Sequence, residues 1–131
     1  MESEEFAEVV RRDYHGFNTA DMKLLTEVFD ERSTWETPGR TLIADLRKGR
    51  DSVFAQFGRY GGETAGSFKV DLQYVLADGE GRVVGVHRNT GLRNGKKLDV
   101  MCCITFEVKD GRIMSGKEQF FDLYNWDEFW S

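Results

Sequence analysis

The chain has 131 residues, one domain's worth of mass and enough to bury about two-thirds of its unfolded surface without disulfide or metal staples. Its composition, 40% hydrophobic and 31% charged with a single proline, Pro38, is that of a globular protein and excludes Pro-rich disorder. A formal charge of −5 argues against nucleic-acid and anionic-membrane partners, and the acidic stretch Glu2-Ser3-Glu4-Glu5, with no run of about 18 apolar residues anywhere, argues against a secretory leader or a membrane span.

The first third reads as helical. Ser3 is placed to cap a helix with Glu4 and Glu5 in its first turn, and Phe6, Val9, Val10, Asp13, Tyr14 and Phe17 recur at helical spacing up to Asn18. Asp21 caps a second helix whose buried stripe is Leu24, Leu25, Val28 and Phe29. Ser33 to Thr37 is short and β-prone, and Pro38-Gly39 ends it. Residues 39–50 read as a loop carrying Arg40, Arg47, Lys48 and Arg50, open either to solvent or to an anionic group. Asp51 caps a third helix bearing Val53, Phe54, Phe57 and Tyr60, stopped at Gly61-Gly62. Beyond it the chain is β. Phe68, Val70, Leu72, Tyr74 and Leu76 alternate with polar residues, which points all five at one face. Arg82 to Arg93 and Lys96 to Lys109 flank Asn94-Gly95, a strong hairpin signal. Asp110-Gly111 turns again, Arg112 to Asp122 returns, and a tail follows with Tyr124, Trp126, Phe129 and Trp130. Helices first and an antiparallel meander after give an α+β class, one domain over residues 1–131 with three N-terminal helices packed on a curved sheet.

The Asn94-Gly95 turn fixes a register in which Arg93 faces Lys96, His87 faces Cys102 and Asn89 faces Val100. Leu98, Val100, Cys102, Ile104, Phe106 and Val108 make an apolar face that points at the helices and brings His87 and Asn89 with it. The second hairpin admits two registers. A two-residue loop pairs Cys103 with Glu118; a three-residue loop pairs Cys102 with Glu118 and Ile104 with Gly116. The second is preferred, because it gathers Met114, Gly116 and Phe120 on the apolar face and makes one transverse row, His87–Cys102–Glu118. Adjacent Cys102 and Cys103 on a strand point to opposite faces and cannot staple distant segments, so a reducing, cytoplasmic home is expected. His15 and His87 show no metal-ligand spacing, and neither metal nor cofactor is expected.

The layout resembles the cone-shaped fold shared by nuclear transport factor 2, the ketosteroid isomerases and the SnoaL-like polyketide cyclases. The resemblance rests on Phe17-Asn18-Thr19-Ala20-Asp21, on Trp35-Glu36-Thr37-Pro38-Gly39 with Gly49-Arg50-Asp51-Ser52-Val53, and on Val86-His87-Arg88-Asn89-Thr90-Gly91 with Phe106 to Ile113 and the closing Phe129-Trp130. It covers nearly the whole chain and implies a cavity between helices and sheet lined by Trp35, Thr37, Phe57, His87, Asn89, Cys102, Ile104, Glu118 and Phe120. The family's acids do not carry over. Thr37 stands where the isomerases keep their general base. Asp13 stands where they keep a phenol, and Ile104 where isomerases and aromatic cyclases keep an acid.

The expected function is therefore acid–base chemistry on a hydrophobic small molecule, of isomerase, cyclase or dehydratase type, on a polyketide- or steroid-like substrate. His87 would be base or acid, Glu118 its partner and Asp13 a reserve acid, with Tyr14, Asn89 and the cavity walls holding the ligand. Each has a plainer reading: His87 as a buried bonded imidazole, Glu118 as a structural ion pair, Asp13 as exposed beside Arg12, Cys102 as inert. The competing function is a non-catalytic ligand-binding or dimerisation domain. The outer sheet face, with Met101, Cys103 and Thr105, is expected to join two copies into a homodimer.

Overall fold

The computed structural model describes residues 2–131. Helix α1 (Ser3–Thr19) starts one residue earlier than Ser3 suggests: Glu2 and Glu5 cap each other's backbone N–H groups. Ala20 ends it in the left-handed region, and Asp21 then caps α2 (Met22–Val28) by accepting from the Leu24 N–H at 3.1 Å. Strand β1 (Phe29–Thr37) follows at once. Within the expected loop the chain forms a short strand, β2 (Asp45–Lys48), before α3 (Arg50–Glu63). Strands β3 (Lys69–Ala77), β4 (Arg82–Arg93), β5 (Lys96–Lys109) and β6 (Arg112–Phe120) complete one six-stranded sheet in the order β2-β1-β6-β5-β4-β3. All neighbours are antiparallel except β1 and β6, which run parallel. The expected aromatic tail is a fourth helix, α4 (Leu123–Trp130), capped by Asp122.

The β4–β5 register agrees with the hairpin reading along its whole length, His87 against Cys102 included. Asn94 and Gly95 both take positive φ, 50° and 77°, as the tight turn requires. The β5–β6 register does not. Asp110-Gly111 is a two-residue turn that pairs Lys109 with Arg112, and a bulge then admits Met114 as an extra residue. Past the bulge Ile104 faces Glu118, Cys102 faces Phe120, and Ile113 rather than Met114 is buried. A second bulge, at Gln73, reverses the alternation of β3. Val70, Leu72, Val75 and Ala77 pack on the core, while Tyr74 and Leu76 turn outward, 52% and 61% exposed.

The inner sheet face packs on α1 and α3 through Phe6, Val10, Phe29, Trp35, Val53 and Phe106. A second apolar cluster under α4 gathers Ile43, Tyr60, Leu98, Trp126, Phe129 and Trp130. The ends of α4 are tied down as well. Lys96 Nζ donates to the carbonyls of Glu128 at 3.1 Å and Ser131 at 3.0 Å, where a cation suits the helix dipole. Between the two clusters lies a cavity.

Candidate functional site

The inward stripe of α1 runs Phe6, Val10, Asp13, Tyr14, Phe17, so its third member brings a carboxyl where helical spacing asks for an apolar group. Asp13 is 5% exposed, and no described residue places a hydrogen bond or a charge on its carboxyl. Burial alone raises its pKa to about 8. Tyr14 lies over Gly85, where a side chain would meet its ring, and its hydroxyl reaches His87 two residues along the same face of β4.

The Tyr14–His87–Asn89 chain has one consistent proton assignment. Asn89 Nδ2 donates to the Lys69 carbonyl at 3.5 Å, which turns Oδ1 toward the imidazole. His87 Nε2–H donates to that oxygen at 3.0 Å, leaving Nδ1 to accept from the Tyr14 hydroxyl at 2.7 Å. Burial lowers the His87 pKa to about 4, against a smaller raising effect of Asn89, so the ring is neutral near pH 7. The same burial raises Tyr14, helped by the Asp13 charge.

Glu118 does not pair with His87, contrary to expectation. Its position opposite Ile104 sets it beside β1 and α3, whose donors claim it. Oε1 accepts from the Trp35 indole at 2.6 Å, from the Thr37 hydroxyl at 3.0 Å and from the Tyr60 hydroxyl. Gln56 Nε2 braces this set by donating to Thr37 Oγ1 at 3.2 Å and to the Ile43 carbonyl at 2.7 Å. All three donors fall on Oε1, which leaves Oε2 to the cavity that Glu118 lines. Burial pushes the Glu118 pKa up, opposed by the Tyr60, Trp35 and Thr37 donors.

These groups share one narrow cavity of about 30 Å³. Asp13, Tyr14, Trp35, Phe57, His87, Asn89, Ile104 and Glu118 line it, joined by Phe17, Tyr60, Phe68 and Val70. Three expected members stand elsewhere. Thr37 sits behind Glu118 as its donor. Cys102 is wholly buried against its strand neighbours, which raises its thiol pKa. Phe120 stacks on Trp126 at 3.8 Å in the second cluster. Tyr60 and Gln56 were readable only as helix residues, although a buried phenol demands a partner. Two arginines of the 39–50 segment serve the scaffold: Arg47 meets Asp45 at 2.9 Å, and Arg50 donates to the Thr26 carbonyl at 3.3 Å. Among the described residues, no three His, Cys, Asp or Glu side chains come together as metal ligands would, and no helix is long and apolar enough to cross a membrane.

Comparison with known proteins gives the same frame. The model of the SnoaL-like domain matches residues 10–116. An uncharacterized protein of Mycobacterium tuberculosis, Rv0034, is 32% identical over 124 residues, 95% of each chain. Bal32a, from a soil-derived mobile gene cassette, is 60% identical with a TM-score of 0.97 over the full length of both chains. Two structures share the fold at lower identity. A nuclear transport factor 2-like protein of Burkholderia xenovorans LB400 has a TM-score of 0.85 at 20% identity, covering 100% of this chain and 99% of its own. TerC, co-crystallized with polyporic acid, has a TM-score of 0.82 at 16% identity, covering 95% of this chain and 97% of its own.

Proposed function

The chain belongs to the SnoaL-like domain family and has the nuclear transport factor 2-like fold, and from that premise we propose that it is a cofactor-independent enzyme of isomerase type, moving protons on a compact hydrophobic small molecule. The observation that carries the reading is the polarised carboxyl of Glu118: three donors gathered on Oε1, and Oε2 left to an aromatic-walled cavity. Ile104 stands where relatives keep an acid, and Glu118, its partner across the β5–β6 ladder, supplies one from the neighbouring strand.

The donors stabilise negative charge on Oε1, so the proton of the neutral acid sits on Oε2. In the carboxylate form that atom takes a proton from carbon beside a carbonyl, becoming the neutral acid, and returns it elsewhere on the same substrate, which regenerates the carboxylate with no net gain or loss. Water is excluded by Phe17, Phe57 and Phe68, and the low dielectric strengthens each hydrogen bond. His87, with both nitrogens engaged, acts as a positioning residue that holds Tyr14. The enclosed space of about 30 Å³ holds about two waters, so a ring-sized ligand enters only as the aromatic wall parts. That requirement favours one or two rings of a polyketide-derived ketone over a four-ring frame. The working form in this reading is a cytoplasmic homodimer joined through the outer sheet face.

Exchange of ketone α-hydrogens into D₂O, followed by NMR on cyclohexanone and tetralone, tests the chemistry. The protein should accelerate exchange, and Glu118→Gln should lose about 10²–10⁴ of that acceleration while keeping shape. Ketones that bind with no acceleration would turn the reading to the non-catalytic binding domain.

A further inference from the structure

Asp13 is the one feature of the cavity that the proton-transfer scheme leaves unused. An unpaired buried carboxyl is costly, and native interiors supply a partner to almost every such group. Among the described residues none is supplied: Asp13 is 5% exposed, lines the cavity, and has burial as the sole influence on its carboxyl, with no hydrogen bond or charge beside it. Nor is a compensating charge at hand. Among the described residues no Lys or Arg lines the cavity, and His87 is committed to Tyr14 and Asn89. The other titratable groups facing the space are Tyr14 on α1 itself, Tyr60 from α3 and Glu118 from β6, none of them cationic. The remaining wall is largely aromatic, with Phe17, Trp35, Phe57 and Phe68, and aromatic rings beside a carboxylate are how proteins hold organic ammonium ions.

We infer that Asp13 is the anchor for a protonated amine, so that the ligand of this cavity is a compact organic cation with an apolar body. The inference rests on the reading of the cavity as a small-molecule site and adds the charge of the molecule to it. The ammonium would donate to the Asp13 carboxylate, and the apolar body would lie among the rings toward Glu118. A cavity with two acids and, among the described residues, no cationic side chain rejects carboxylates and phosphates by the same logic. Because burial raises Asp13 to about 8, ammonium binding there at neutral pH expels a proton to solvent.

Three near-isosteric probes separate the possibilities by calorimetry at pH 7: benzylammonium, benzyl alcohol and benzoate. The expected result is benzylammonium binding at least about tenfold tighter than benzyl alcohol, and benzoate not binding. The benzylammonium heat should also change between phosphate and Tris buffers by an amount equal to release of close to one proton. Asp13→Asn, a neutral isostere whose folding is checked by circular dichroism, should abolish both the preference and the proton release. Benzyl alcohol binding as well as benzylammonium to the native protein, or binding without proton release, would overturn the cation inference and leave the small-molecule reading standing. Failure of all three probes to bind would overturn both.

Discussion

Desolvation pushes the buried ionisable side chains of the cavity toward their neutral forms, and its sign differs between acid and base. Asp13 titrates near its ordinary value of 3.8 in the unfolded chain and at about 8 in the folded one, so the native state holds an extra proton in between. Its contribution to stability is intact below about pH 4, is lost as pH rises toward 8, and stays lost above. Asp13→Asn should therefore melt higher than the native protein at pH 9, by about 5 °C or more, and the gap should close near pH 4. An equal gap at both pH values would show that Asp13 is not buried unpaired. His87 runs the other way. Its pKa falls from 6.5 to about 4 on folding, so stability present above 6.5 is lost as pH drops through that window. NMR of the ring nitrogens should show the neutral form, with the proton on Nε2, down to pH 5; an imidazolium at pH 6 would undo the Tyr14–His87–Asn89 assignment. At this scale much of the site was legible. Alternation along the hairpin strands put His87, Asn89 and Glu118 on the inner face, and helical spacing exposed Asp13 as a break in an apolar stripe. The roles were less legible, because who donates to Glu118 depends on α3 and β1 meeting across the chain, which no local pattern encodes.

Elements were readable where backbone chemistry is local and obscure where one residue changes phase. Asn94-Gly95 requires positive φ twice, and the register that follows holds for the full length of β4 and β5. The bulges at Gln73 and Met114 have no such signal: each reverses the facing of every later side chain, which is why Tyr74 and Leu76 point outward and Glu118 faces Ile104. Strand β2 has only Asp45 to Lys48, and α4 is aromatic on nearly every side, so neither shows a clean period. Two glycines on the inner face are, by contrast, forced by contact. A Cβ on Gly116 would stand 2.3 Å from Trp35 Cζ3, and one on Gly85 would stand 2.6 Å from Tyr14 Oη. Both rings bear on the site, one as a donor to Glu118 and the other to His87. Gly116→Ala and Gly85→Ala should each cost about 1–3 kcal/mol by overpacking. Gly116→Ala should further weaken ketone exchange by displacing the indole. Urea midpoints within error of the native value would mean that the rings do not rest on these strands.

The molecule as a whole presents two sheet faces of different character. The inner one is covered by helices; the outer one is covered by nothing among the described residues, yet the β3 bulge adds Tyr74 and Leu76 to it. They share ladder rows with Val86 and Cys103 and with Val84 and Thr105. Met101 adjoins them on β5, and Phe121, 65% exposed, bonds the Met101 carbonyl through its own N–H at 3.0 Å. The apolar patch is thus wider than Met101, Cys103 and Thr105 alone promised. Patches of this kind on a freely tumbling chain favour a cover, and a second copy related by a two-fold axis offers a self-complementary one. Arg88 and Asp99, locked together at 2.7 Å at the margin, suit the polar rim of such an interface. Sedimentation at tens of micromolar, about the range that separates stable from transient contacts, should show a dimer. Met101→Lys combined with Leu76→Lys should dissociate it while leaving the inner cavity and its ligand binding in place, since both side chains point away from it. A native protein that sediments as a monomer would set the homodimer aside, and a double variant that remains dimeric would move the interface off this face.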